Sequence, residues 1–251
     1  MSVRNFVALA ALLLAGLLTP AHAGDTPHWV HYRLLNGQAH LPKKVVIMPV
    51  SVRMYEVTAG GVQEEVREWS TQAETNVHKA ISALLAKKGG IQEVALPRLS
   101  ASERAAIDEH MALYKLVANT VPNSGLHHKL RRFDYGIGPG LNALLARTGA
   151  DAVLMVYGND YASTAGRKTK AVLGKIPIVN IFTGGEVELG HSFVHLGFIE
   201  LKSGDLLWMN SEYRQGSSNL RDYDDAEDLI EAIFDWYPGI ERYREQYASE
   251  D

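Results

Sequence analysis

The chain of 251 residues contains no cysteine. That absence excludes disulfides, a thiolate metal ligand, a cysteine nucleophile and the acylated thiol of a bacterial lipoprotein. An excess of one charge is missing too, since 25 basic and 29 acidic residues leave −4 with histidines neutral. Such a balance offers no electrostatic footprint for a phosphate backbone, so no nucleic-acid partner is expected. No G-x-S-x-G elbow marks a serine hydrolase. The apolar runs also fall short of the ~20 residues that a membrane-crossing helix needs.

What is present starts with "MSVRNFVALAALLLAGLLTPAHAGD". One positive charge at Arg4 precedes an apolar stretch from Phe6 to Leu18, then Pro20, then the small residues of "AHA". This is the pattern of a signal peptide over residues 1–23, cleaved after Ala23, rather than an uncleaved anchor. The mature protein is expected in the periplasm or outside the cell, and not as a lipoprotein.

Residues 24–42 are polar and aromatic-spiked and read as an N-terminal arm. "KKVVIMPVSV", residues 43–52, reads as a strand buried on both faces. "TAGGVQEEVREWS" reads as a loop. Thr71 with Glu74 forms a capping-box pattern ahead of Ala73, Val77, Ile81 and Leu84 at helical spacing. "IQEVALP" predicts a second strand, and Ser100 with Glu103 repeats the box before a helix through Ile107, Met111, Tyr114 and Val117. A short helix through Leu141, Leu144 and Leu145 stops at Gly149, and "ADAVLMVYGND" is a third strand. "FIELKSGDLLWMNSEYRQ", residues 198–215, reads as a hairpin turning at Ser203 and Gly204. "DDAEDLIEAIFDWYPG" is a last amphipathic helix with acidic residues in its first turn. This order predicts an α/β sandwich in one domain over residues 43–237, with a mixed sheet, a C-terminal antiparallel hairpin and a tail at 238–251.

The phrases "VVIMPV", "GADAVLMVYGNDY" and "IELKSGDLLWMN", in that order with helices between and after, resemble the bacterial envelope proteins related to the TolB amino-terminal domain, CsgG and LpoB. The resemblance spans roughly residues 43–236. In that group a "D-x-x-TGE-x-x-W" phrase marks the hairpin. Here Gly204 and Trp208 match it, while Glu200, Ser203 and Asp205 stand at its acidic, Thr and Glu positions. The resemblance implies a TolB-N/CsgG-like fold and a non-catalytic envelope role through protein contacts, with no partner identified.

No catalytic set, cofactor or metal site is expected from the chemistry-bearing residues. His191 and His195, in a strand setting, lie ~13 Å apart on one face, too far to share an ion. His127 and His128 sit in a basic loop, read as solvated. Glu64, Glu65 and Glu68 read as solvated first turns of a helix rather than as an acid/base pair. "GIGPG", residues 136–140, lacks the Lys-Ser/Thr ending of a P-loop, and Pro139 removes an amide donor. Of the aromatics, Trp69, Tyr55, Trp208, Trp236 and Tyr237 are expected mostly in the core.

The remaining feature is "RKTKAVLGKIPIVNIFTGG", residues 167–185, which joins Arg167, Lys168 and Lys170 to an interrupted apolar run. Two readings stand. The run folds over the sheet, burying Val172, Leu173, Ile176 and Ile178. Alternatively, Lys170, Ile176, Ile178, Val179 and Ile181 dock an envelope protein partner or the membrane surface. The leading function is a periplasmic binding or scaffolding protein, and the alternative is a secreted hydrolase whose Asp, Glu and His residues converge only on folding.

Overall fold

The computed structural model describes residues 29–58, 60–123, 133–163, 190–216 and 218–239. The central strand is β6 (Ala152–Ser163), in which every residue from Ala152 to Gly158 is buried. Its continuous apolar run suits a strand covered on both faces. One flank of β6 carries β7 (Gly190–Glu200) and then β8 (Leu206–Gln215), each antiparallel to the strand before it, with the two-residue β1 (Trp29–Val30) beyond. The other flank carries β2 (Lys44–Ile47) and β3 (Ser51–Val57), both parallel to β6. The short β5 (Gln92–Glu93) lies outside β2, and β4 (Gln63–Glu65) lies outside β3. The sheet is therefore single and mixed.

Helices cover both faces. On one, α2 (Arg67–Leu84) and α5 (Tyr223–Phe234) bury Val77, Ile81, Leu229 and Ile233 against Val52, Leu154, Leu196 and Phe198. On the other, α3 (Ala101–Asn123) and α4 (Asn142–Thr148) bury Ile107, Tyr114 and Leu144 against Val46, Val153, Met155 and Ile199. The α/β class with a C-terminal antiparallel hairpin is as the sequence pattern predicts.

Local details depart from that pattern. The expected first strand is two strands, because Pro49 has no N–H to donate to a ladder. Ile47 stands beside Leu154 and Ser51 beside Tyr157, so four steps on this edge run against three on β6, as at a bulge. The expected loop over "TAGGVQEEVREWS" is a tight turn only, closed by a bond from the Thr58 amide to the Val62 carbonyl at 3.0 Å. Gln63–Glu65 then pair with β3, and α2 begins at Arg67. Thr71 is consequently inside the helix, its hydroxyl donating to the Arg67 carbonyl at 3.1 Å, and it caps nothing. The Ser100–Glu103 box does form: the Glu103 amide donates to Ser100 Oγ (3.2 Å) and the Ser100 amide to Glu103 Oε2 (2.7 Å). Within the arm expected over residues 24–42, Trp29–Val30 pair with β8 as β1, and Tyr32–Leu35 form a one-turn helix, α1.

Candidate functional site

The hairpin that closes the sheet is held by charge. Gly204 at its turn takes φ +79°, a backbone conformation that favours glycine. Glu200, Ser203 and Asp205 converge on one cation, Arg33 of α1. Its Nη1 donates to Glu200 Oε2 (3.1 Å), to Ser203 Oγ (3.4 Å) and to Asp205 Oδ2. Ser203 Oγ in turn donates to Glu200 at 2.5 Å. The same turn receives the glycine-rich loop: the Ile137 amide donates to the Gly204 carbonyl, and a Cβ at Gly136 would stand 2.9 Å from that oxygen. "GIGPG" is therefore a packing device against the hairpin, and the hairpin's polar residues are an anchor for the N-terminal segment.

The histidines belong to a different construction. Odd-numbered residues of β6 and β7 project to the face that α3 covers, and side chains opposite one another across strands stack. His195 lies against Tyr157, with ring centroids 5.0 Å apart, and against Phe193 at 4.6 Å. Burial pushes the His195 imidazole down to about 4, opposed by its bond to the Asn210 backbone. Next along the strand, Tyr55 stacks on Tyr161 (4.9 Å), while Tyr161 meets His191 (4.4 Å) and His191 meets Tyr213 (5.4 Å) at a tilt. The two histidines sit in separate rows. Among the described residues, no three His, Cys, Asp or Glu side chains gather closely enough to hold a metal ion.

Coverage by α3 reaches as far as Tyr157. Tyr114 meets its ring edge-on at 5.8 Å, Asn119 Oδ1 accepts from its hydroxyl at 2.9 Å, and Lys115 Nζ lies 5.5 Å from its ring centroid. Beyond that row the two faces differ. Asp160, Ser192 and Val194 on one side are buried, whereas Asn159, Tyr161, His191 and Phe193 on the other are half-buried. Tyr213 is 50% exposed. Arg53, exposed on the same face of β3, pairs with Glu65 at 3.4 Å. The result is a band of aromatic edges and polar groups crossing four strands, the candidate contact surface of this protein.

Sequence reasoning missed this band. Its signal was the alternation Tyr157, Asn159, Tyr161 in one strand and His191, Phe193, His195 in the next, but the reach of α3 decides which members stay exposed. The expected core aromatics divide: Trp208 and Tyr237 are buried in the α5 face, Trp69 lies under the Arg221 guanidinium at 3.9 Å, and Tyr55 joins the band. Glu64 and Glu65 are exposed strand residues rather than helical ones, and Glu68 is in the first turn of α2. His127 and His128, and the docking residues Lys170, Ile176, Ile178, Val179 and Ile181, lie outside the described residues. No described helix is long and apolar enough to cross a membrane.

No protein-family model matches the chain, and no curated protein matches it. Among solved structures, the chain is similar to a PelC dodecamer from Paraburkholderia phytofirmans, with 12% identity, a TM-score of 0.36 and coverage of 84% of this chain and 96% of that one. A second crystal form of PelC gives 12% identity and a TM-score of 0.35, over 84% and 94% of the two chains. The lipoprotein GNA1162 from Neisseria meningitidis is 14% identical with a TM-score of 0.33, over 77% of this chain and 95% of that one.

Proposed function

We propose that the protein is exported and serves as a non-catalytic binding or scaffolding component of the cell envelope, acting through protein contacts. The observation that carries this reading is the aromatic band. Tyr55, Tyr161, Phe193 and Tyr213 leave apolar edges at the surface, with Arg53 and Asn159 beside them as hydrogen-bonding groups. Tyrosine, phenylalanine and arginine are the residue types that protein interfaces concentrate. The leader over residues 1–23 and the strand phrases that resemble the TolB, CsgG and LpoB group support the envelope setting. Within the 167–185 segment, Lys170, Ile176, Ile178, Val179 and Ile181 are the proposed second contact, toward an envelope protein partner or the membrane surface.

The test is association in the native cell. Cross-linked periplasm from cells carrying the wild-type protein is expected to yield a defined envelope partner, and Tyr55→Ser and Tyr213→Ser variants of unchanged thermal stability are expected to lose it. A chain that stays alone under every growth condition contradicts the proposal.

A further inference from the structure

Pro49 interrupts the sheet edge, and the interruption leaves an opening. β5 accompanies only Lys44 and Val45, while β4 accompanies only Tyr55–Val57, so no described strand pairs with the outer edge between them. Side chains of α2 serve part of that edge instead. Ser70 Oγ accepts from the Met54 amide at 2.9 Å, and the Glu74 carboxylate accepts from the Val52 amide. Above Pro49, Val50 and Ser51 an open cleft of about 350 Å³ lies between α2 and α3, and a shallower one of about 430 Å³ adjoins it along α2; the two share Pro49, Val50 and Glu74. Volumes of this size suit a small molecule. The opening lies just past the C-terminal end of the parallel strand β2, the end at which open α/β sheets bind ligands.

Lys115 on the α3 wall and Glu74 on the α2 wall carry opposite charges that do not neutralise each other, with Asp108 beside Lys115 on α3 and His78 and Lys79 farther along α2. On α3, Lys115 Nζ donates to Ser51 Oγ at 3.1 Å and faces the Tyr157 ring; neither partner is an anion. On α2, Glu74 answers a backbone amide. Both side chains are half-buried, and Asp108 lines the α3 wall as well. Desolvation shifts each toward its neutral form, the ammonium downward and the carboxyl upward. A ligand bearing both charges would restore what burial removes from each wall.

We propose that this cleft binds a free α-amino acid, its carboxylate toward Lys115 and its ammonium toward Glu74, with Asp108 at the margin. The site adjoins the aromatic band at Arg53, whose charge acts on both Lys115 and Glu74, but none of the band's residues lines it, and it stands independently of the function proposed above. A cleft holding a cation and an anion on opposite walls selects for a zwitterion over a simple anion or a simple cation, since either of the latter leaves one wall charge uncompensated.

The experiment is titration calorimetry of the mature chain against the twenty L-amino acids, followed by the N-acetyl and carboxamide derivatives of the tightest binder. Saturable one-to-one binding is expected for at least one amino acid, with a loss of tenfold or more on blocking either of its charges. Lys115→Met and Glu74→Gln are each expected to weaken binding at least tenfold, while Tyr213→Ser leaves it unchanged. The blocked ligands probe both charges on the wild-type protein, so the test holds even if a variant fails to fold. Absence of binding by all twenty at 10 mM ligand, as roughly the weakest range the method reads, overturns the proposal. So does equal affinity for the free and blocked forms.

Discussion

The ring of Tyr114 rests directly on the backbone of Gly197. A Cβ built at Gly197 would stand 2.5 Å from Tyr114 Cε2 and 2.7 Å from its hydroxyl oxygen. The contact fixes how closely α3 approaches β7, and so where the cover over the sheet ends. Gly197→Ala is therefore expected to destabilise the fold by about 1–3 kcal/mol through overpacking. Tyr114→Phe should behave oppositely, because its hydroxyl is buried without a hydrogen-bond partner among the described residues. Its removal is expected to be neutral or stabilising by up to about 1 kcal/mol. Urea unfolding of both variants measures the contrast.

Arg33 ties the first described segment to the hairpin through two carboxylates and one hydroxyl. These groups are about a quarter exposed, so solvent screens them, and Arg33→Met is expected to cost about 1 kcal/mol rather than the several of a buried pair. The loss should shrink in high salt, since Glu200 and Asp205 left together repel less when screened. Thermal melts at low and high sodium chloride, compared between wild type and variant, check both points.

Two buried titrating groups oppose each other. Asp160 is fully buried, with one carboxyl oxygen accepting from the Leu220 amide at 2.7 Å, the Ser192 hydroxyl beside it, and Arg221 and Asp225 nearby. Burial raises it from 3.8 to about 6, so the folded chain holds a proton that the unfolded chain has released. Its contribution is complete below 3.8 and is lost as pH rises through 6. His195 is lowered from 6.5 to about 4; its contribution is complete above 6.5 and is lost as pH falls toward 4. Each effect is worth roughly 3 kcal/mol, so they nearly cancel across this window. Asp160→Asn, which keeps an acceptor for Leu220, should make stability fall more steeply with acid than in wild type. His195→Gln should do the reverse. Urea midpoints between pH 4 and 7 read the two slopes, and parallel curves for all three proteins would contradict the assignment.

Two capping patterns with the same spacing met different fates, and the comparison shows what a sequence conveys about this fold. Ser100–Glu103 follows an irregular stretch, so the box is free to start α3, and Arg147 joins Glu103 from α4. Thr71–Glu74 follows β4, whose pairing with β3 brings the chain into position to begin a helix one turn earlier. Ser100→Ala is accordingly expected to cost about 1 kcal/mol, and Thr71→Ala next to nothing. Thermal unfolding of both variants tests this.

The same distinction runs through the rest of the chain. Elements whose signals are local were legible: the buried run of β6, the Gly149 stop of α4 at φ +62°, the acidic first turn of α5 and the hairpin at Gly204. Features that depend on distant partners were not. The convergence of Glu200, Ser203 and Asp205 requires Arg33 across the fold, and the aromatic band depends on how far α3 covers the sheet: among the described residues its contacts with β6 reach Tyr157, while β6 continues to Ser163. The break at Pro49 was visible as a residue, but the cleft above it depends on where α2 and α3 lie.

The most direct test of the central claim is residue-resolved photo-cross-linking in living cells. A photoreactive amino acid is introduced at Tyr213 or Phe193 in the band, and at Gln38 as an exposed position elsewhere. The account predicts one and the same defined protein adduct from positions 213 and 193, and none from position 38. No adduct from the band, or an identical set of adducts from all three positions, would contradict it.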